Sequence, residues 1–287
     1  MSFTCYDKKI VVSGDIIEVY IYDKPIKIGY DKFNDRYVNK KVRTKTKEVI
    51  KENIDRSVRR TKQRIRNLIN SNIDDNTSFL TLTFSENVTD VPMANKELKK
   101  FIQRLSYYYK KNDRELKYLG VIEFQDGKEY IDKNGEVKKG IGRGAIHYHI
   151  LLFNAPYINF QKLANVWNNG FITINKIDDV DNVGAYVCKY MGKDIDDTRL
   201  KGKRRYFYSK NLTEPIIQKI DYDIDINEFY DKKKLAYSNF QNINTLEYTN
   251  TITYYQYNYK RENCLYEKYG RNEHSRKKYL YKNDEGK

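Results

Sequence analysis

The sequence predicts an α+β protein built on an antiparallel sheet with helices on one face. Two observations carry this. Between residues 79 and 193 the hydrophobic period switches repeatedly between about 2 and about 3.6, in the order strand, helix, strand, strand, helix, strand, helix. No internal repeat or long linker interrupts the series. A βαββαβ unit with one added helix is the ferredoxin-like arrangement, which RNA-recognition domains share.

Residues 1 to about 40 read as short strands, Lys9–Val12 and Ile16–Tyr22, joined by turns, with no function legible in them. Residues 41–70 change character. Ile50, Ile54, Val58, Ile65 and Ile69 recur near helical spacing and predict an amphipathic helix. Lys41 to Arg66 holds eleven Lys/Arg against three Asp/Glu, so this short stretch carries eight of the chain's net +15 charges. Such clustering favours a phosphate-contacting helix over a merely solvated face, with Arg59, Arg60, Lys62 and Arg64 as the expected contacts.

Phe79-Leu-Thr-Leu-Thr-Phe84 alternates strictly, as a strand with one covered face must. Leu98, Phe101, Ile102, Leu105, Tyr108 and Tyr109 form the stripe of the next helix, with Pro92 and Asn95 near its expected start. Tyr118–Gln125 is the second strand. A Gly- and charge-rich insert follows, with Asn134-Gly135 as a hairpin turn at its tip. Ala145–Phe153 is the third strand. Phe160–Trp167 is a helix that Gly170 is expected to close, and Phe171–Ile177 is the fourth strand. Asp181–Lys193 reads as the last helix, capped by Asp181 or Asn182.

These boundaries give three regions: a basic N-terminal region, 1–75, containing the long amphipathic helix; a core domain, 76–198; and a basic, Tyr-rich region, 199–287. An excess of 15 positive charges suits a polyanionic partner, because each phosphate neutralised releases counterions. The 28 tyrosines allow base stacking, though an AT-rich genome also yields many tyrosines that simply pack. Arg199–Lys210 interleaves six Lys/Arg with Tyr206, Phe207 and Tyr208, which suits a single-strand grip, with Lys203, Arg204 and Arg205 at its centre; a solvated basic loop reads equally well. Cys5, Cys188 and Cys264 are odd in number and far apart, which argues against a disulfide framework and for a reducing compartment. The N-terminus lacks a basic stretch followed by an apolar one, and the longest apolar runs are far too short to span a bilayer. The expectation is a cytoplasmic protein without a membrane partner.

Three groups of residues carry chemistry. His147 and His149 lie two apart on one strand, so both imidazoles project from one face; they are either ordinary half-buried histidines or a two-point clamp for a divalent ion. Glu123 interrupts an apolar strand joined to theirs by a hairpin-like connection, and an inward carboxylate is costly unless it meets a cation. It is the expected third metal ligand. Tyr186 and Tyr190 lie one helical turn apart, as do Lys189 and Lys193. In a chain so rich in Tyr and Lys, that pattern alone reads as readily as two core aromatics.

Taken together and in this order, the three groups resemble the motifs of the HUH endonuclease superfamily, in particular the rolling-circle replication initiators of small plasmids and single-stranded DNA phages. Phe79-Leu-Thr-Leu-Thr-Phe84 resembles the first motif. Ala145-Ile-His147-Tyr-His149-Ile-Leu-Leu-Phe153, preceded by Glu123, resembles the metal-binding motif. Tyr186-Val-Cys-Lys189-Tyr190-Met-Gly-Lys193-Asp194 resembles the third. Tyr148 stands between the histidines where the family carries an aliphatic residue, and it faces the opposite side of the strand. The resemblance spans about 79–194, less than half the chain.

It implies a replication initiator with a ferredoxin-like nuclease core that nicks one DNA strand and later rejoins it. Mg²⁺ or Mn²⁺ on His147, His149 and Glu123 would polarise the scissile phosphate. Tyr190 is the expected principal nucleophile and Tyr186 the second, with Lys193 and Lys189 easing the charge on the phenol or the phosphate. The implied partners are single-stranded or origin hairpin DNA, a polymerase and a separate helicase, since no Gly-x-x-x-x-Gly-Lys-Ser/Thr occurs. A mobilisation relaxase or a single-strand transposase would share this chemistry. A non-catalytic nucleic-acid-binding module would lack it.

Overall fold

The computed structural model describes residues 4–31, 36–37, 47–127, 129–131, 136–139, 142–155, 158–177, 182–191, 194–223, 230–244 and 249–260. Within its elements the side chains of residues 4, 30–31, 36–37, 129–131, 137–139, 186, 189–191 and 244 lie outside that description. In chain order the strands and helices are β1 (Thr4–Ser13), β2 (Ile16–Ile28), β3 (Tyr30–Asp31), β4 (Arg36–Tyr37), α1 (Lys47–Asn70), β5 (Ser78–Phe84), α2 (Val91–Lys110), β6 (Lys117–Gln125), β7 (Glu129–Ile131), β8 (Val137–Lys139), β9 (Ala145–Phe153), α3 (Phe160–Trp167), β10 (Gly170–Lys176), α4 (Val183–Met191), β11 (Tyr206–Tyr208), β12 (Ile216–Ile220), β13 (Leu235–Asn244) and β14 (Thr249–Asn258). Asn134-Gly135, the expected hairpin tip, lies outside the described residues.

The chain forms two compact units. One draws on both ends of the sequence, Met1–Thr44 and Ile216–Lys287; the other spans Lys45–Pro215. They cut the chain elsewhere than the compositional division at 75 and 198, because α1 packs with the central elements and the C-terminal strands pair with N-terminal ones. The first unit is an antiparallel sheet in the order β12-β1-β2-β14-β13, centred on Ile10, Val19, Ile220 and Tyr257. Its fully buried Glu18 carboxylate accepts the Tyr254 hydroxyl at 2.6 Å, which keeps a polar group satisfied inside an apolar sheet.

The second unit is an antiparallel sheet in the order β10-β5-β9-β6-β11. Its first four strands follow the ferredoxin-like order of a βαββαβ unit, and β11 extends the edge beside β6. Strict alternation sorts the side chains into two layers. Leu80 and Leu82 of β5, Ile122 and Phe124 of β6, and Ile146, Tyr148, Ile150 and Leu152 of β9 meet Leu98, Phe101 and Leu105 of α2 and Leu163 and Trp167 of α3. This is the expected helical layer on one face. Asp90 caps α2 by accepting the Met93 N–H at 2.7 Å. Asn95, expected near that cap, instead accepts the Tyr148 hydroxyl at 2.8 Å. Asn168, in the left-handed conformation at φ 52°, closes α3, so the role expected of Gly170 falls two residues earlier and Gly170 opens β10.

The opposite face carries helices as well. Leu119, Val121, Leu151 and Phe153 are covered by Val58, Ile65, Leu68 and Ile69 of α1 and by Val183 and Val187 of α4. Only the C-terminal half of α1 does this. Ile50 and Ile54, expected in the buried stripe, are 46% and 43% exposed at the helix's other end. Gly184 lets α4 sit against α1: a Cβ there would stand 2.4 Å from Asn70 Oδ1 and 2.6 Å from the Arg66 carbonyl. The buried Asn70 oxygen accepts the Gly184 N–H at 2.9 Å, and Asn182 accepts the Ala185 N–H, as expected of the cap. Among the described residues, no helix is long and apolar enough to cross a membrane.

Candidate functional site

Strand register sets side chains in rows across the sheet. Phe171, Thr83, His147 and Glu123 form one row; Thr173, Thr81, His149 and Val121 form the next. The period of two puts both rows on the same face as Leu119 and Leu151, the face that α1 and α4 partly cover. Glu123 therefore stands directly opposite His147 and diagonal to His149.

His149 is held on three sides. Its Nε2 meets Glu123 Oε2 at 2.5 Å, its Nδ1 meets Thr81 Oγ1 at 3.1 Å, and its ring stacks on Phe79 at 5.5 Å between centroids. His147 is held differently. Its Nε2 is buried, and no described residue hydrogen-bonds it. Burial holds this imidazole below the ordinary histidine range; Glu123 pulls it back up, while His149 and Arg143 act with burial. The result is a neutral imidazole at neutral pH, the form that ligates a metal. Two imidazoles and a carboxylate suit a divalent cation chemically, and a buried nitrogen without a partner is what a ligand position presents. Among the described residues, no group of three or more His, Cys, Asp and Glu side chains is drawn together at metal-holding spacing. The Glu123–His149 hydrogen bond occupies two of the donors instead.

Helix α4 brings the Tyr and Lys positions to this face. Val183 and Val187 seat it in the layer containing Val121 and Leu151, and its small residues meet α1. The backbone positions of Tyr186, Lys189 and Tyr190 lie on α4; their side chains, and Lys193 altogether, are outside the described residues. After the helix, Asp194 Oδ2 accepts the Phe124 N–H at 2.8 Å, and Ile195 is buried in the same layer. The turn following Tyr190 is thereby fastened to the strand residue next to Glu123. Arg199 strengthens this corner: it pairs with Asp126 and Asp197, and its guanidinium lies 3.7 Å over the Phe124 ring.

The basic segments meet beside this site. β11 pairs with β6, putting Tyr206 opposite Val121 and Tyr208 opposite Leu119, and the two tyrosine rings stack at 5.5 Å. Phe207 points the other way, against Tyr148 and over Gly120, where any Cβ would stand 2.3 Å from its ring. A groove of about 340 Å³ runs between α1 and β11, lined by Asn53, Arg56, Ser57, Arg60, Thr61, Arg64 and Tyr206. Arg59, Arg60, Lys62, Lys203 and Arg204 are exposed. Arg205 donates to Ser57 Oγ at 3.3 Å. Arg64, expected to face nucleic acid, is instead engaged by Glu214 through both terminal nitrogens, at 2.5 and 2.6 Å.

Sequence reasoning missed Thr81, Asp194 and Phe171 as members of this neighbourhood. Thr81 had a signal, since it alternates onto one face of β5. Asp194 and Phe171 had none, because only the register and the turn after α4 place them.

Residues 77–195 match the family of the replication-associated protein ORF2. The match covers less than half of the chain and contains both site rows and α4. Over that stretch the chain is similar to replication-associated proteins, consistent with an initiator of replication. No curated protein and no solved structure matches the chain.

Proposed function

We propose that this chain initiates rolling-circle DNA replication by nicking one strand through metal-assisted transesterification and later rejoining it. The observation that supports this most is the row in which Glu123 stands opposite His147, beside a His149 already oriented by Thr81 and Phe79. The likeness of residues 77–195 to replication-associated proteins points the same way.

In this reading His147, His149 and Glu123 would hold Mg²⁺ or Mn²⁺, which supplies Lewis acidity at the scissile phosphate. Thr81 then takes a second role. With His149 ligating through Nε2, its Nδ1 carries the proton and Thr81 Oγ1 accepts it, which fixes the ring and its tautomer. The phenolic oxygen of Tyr190 attacks phosphorus as the bond to the 3′ oxygen breaks. The phenol loses its proton and the departing 3′ oxygen gains one, leaving a 5′-phosphotyrosine and a free 3′-OH. One phosphodiester is exchanged for another, so Tyr186 can carry a second exchange and the strand can be resealed. A free phenol titrates near 10, and Lys193, with Lys189, would ease its ionisation. Single-stranded or origin hairpin DNA would run along the groove between α1 and β11. The 3′-OH would serve a polymerase, and a separate helicase would open the duplex.

The test is incubation of the full chain with pooled single-stranded oligonucleotides and Mn²⁺, followed by a denaturing gel and mass-spectrometric mapping. A covalent adduct at Tyr190, lost in Tyr190→Phe and in EDTA, is expected. Attachment that survives Tyr190→Phe and vanishes in Tyr186→Phe inverts the two roles. No adduct under any condition overturns the nicking reading.

A further inference from the structure

The face that carries His147 and Glu123 is covered at one end only. Helices α1 and α4 lie over Leu119, Val121, Leu151 and Phe153. At the other end, on β10, Phe171, Thr173 and Asn175 are all exposed. Phe171 is 71% exposed although it sits in the same cross-strand row as His147 and Glu123. A single exposed aromatic is ordinary on a protein surface. Its place in this row is not. Between Phe171 and His147 lies only Thr83, a short side chain that leaves the path along the row open. Two strand spacings separate Phe171 from His147, about 10 Å, which is the reach from a phosphate at the histidines to a base one nucleotide away.

We propose that Phe171 is a stacking platform for an unpaired base flanking the scissile phosphate, so that single-stranded DNA lies across β10 and β5 on its way to the His147–Glu123 row. This rests on the nicking reading. An aromatic ring on an open sheet binds any base through its π-face, which suits a position that grips without reading sequence. Thr173 and Thr83 beside it offer hydroxyls to sugar or phosphate. The stack would also set the angle at which the strand enters, because a base held at Phe171 leaves its phosphate a limited arc over the histidines.

The test uses the full chain and a short oligothymidylate in EDTA, so that binding is measured without chemistry. Phe171→Ala and Phe171→Leu are expected to weaken binding about tenfold, the size of one lost base stack, while Phe171→Trp retains it. Phe171→Trp should show its indole emission quenched on saturation, and ultraviolet crosslinking of wild type should map to Phe171. Binding of Phe171→Ala within about twofold of wild type, or unquenched Phe171→Trp, overturns the proposal. So does tighter binding of oligouridylate than oligothymidylate, which would make the platform one for RNA. Adduct formation in Mn²⁺ is scored separately. A wild type that makes no adduct while Phe171→Trp is still quenched overturns the nicking reading and leaves Phe171 a base platform; an adduct formed equally fast by wild type and Phe171→Ala does the reverse.

Discussion

Asp194 holds Phe124. Its carboxylate accepts the Phe124 backbone N–H at 2.8 Å, on a stretch of β6 beyond the last pair that β11 makes with that strand. One residue thus satisfies an open strand edge and fixes the turn that follows α4. A hydrogen bond to a charged acceptor contributes about 1.5–3 kcal/mol, enough to decide where a short turn rests.

Asp194→Ala should therefore slow adduct formation by about tenfold or more while leaving Mn²⁺ affinity within about twofold. Asp194→Asn, whose carboxamide oxygen can still accept, should keep most of the rate. Titration calorimetry with Mn²⁺ and single-turnover gels separate the two effects. A parallel loss of metal affinity would mean that Asp194 acts through the metal centre and not through the turn.

Thr81 should matter to metal and not to fold. Thr81→Val keeps the shape of the side chain and removes the oxygen that meets His149 Nδ1. Partners of this kind typically change metal affinity by about 10–100-fold. The expected outcome is Mn²⁺ binding weakened within that range, with the melting temperature nearly unchanged, and Thr81→Ser restoring the affinity.

Cys188 reports on the seat of α4. Burial pushes its thiol up to about 12, and its Sγ lies 3.8 Å from the Lys62 carbonyl on α1. In the folded protein at pH 8 it should resist iodoacetamide, and in denaturant it should react at once. The thiol form is the one the fold favours. Its contribution to stability is complete below the unfolded thiol's pKa of about 9 and fades as pH rises toward 12. Gly184→Ala, which forces a Cβ onto Asn70 and Arg66, should cost about 1–3 kcal/mol by overpacking and should expose Cys188 to the reagent in the native state. A Gly184→Ala protein with wild-type labelling kinetics would show that the helices do not depend on that contact.

The arginines of α1 should divide into two kinds. Arg60, exposed in the groove beside Tyr206, should behave as a phosphate contact. Arg60→Glu should weaken oligonucleotide binding uniformly across sequences and reduce the salt slope by about 1. Arg64 is committed to Glu214, so Arg64→Ala should lower thermal stability and leave the salt slope nearly unchanged. Equal slopes for both variants would erase the distinction.

The central sheet was legible because its strands alternate cleanly. The expected 79–84, 118–125, 145–153 and 171–177 lie within a residue of Ser78–Phe84, Lys117–Gln125, Ala145–Phe153 and Gly170–Lys176. The shared face of His147, His149 and Glu123 follows from the same period and one pairing. β11 was not legible: three aromatic residues within a run of cations give no alternation, and their pairing with Leu119–Val121 is a tertiary choice. The same holds for β12, β13 and β14, whose partners lie more than two hundred residues upstream or in each other. Composition did show that α1 is basic. It did not show that half of the helix would cover the sheet, or that Arg64 would be spent on Glu214.

The pairing of β2 with β14 and of β1 with β12 sets an order of events during synthesis. The stretch 45–215 holds all of its own sheet partners and can fold while the chain is still emerging. The β1–β2 hairpin, made first, must wait with both flanks open until residues 216–258 have been translated, since two strands alone are only marginally stable in water. A ribosome that stalls in between would release a finished central unit tethered to an unpaired hairpin, the kind of exposed edge from which aggregation starts.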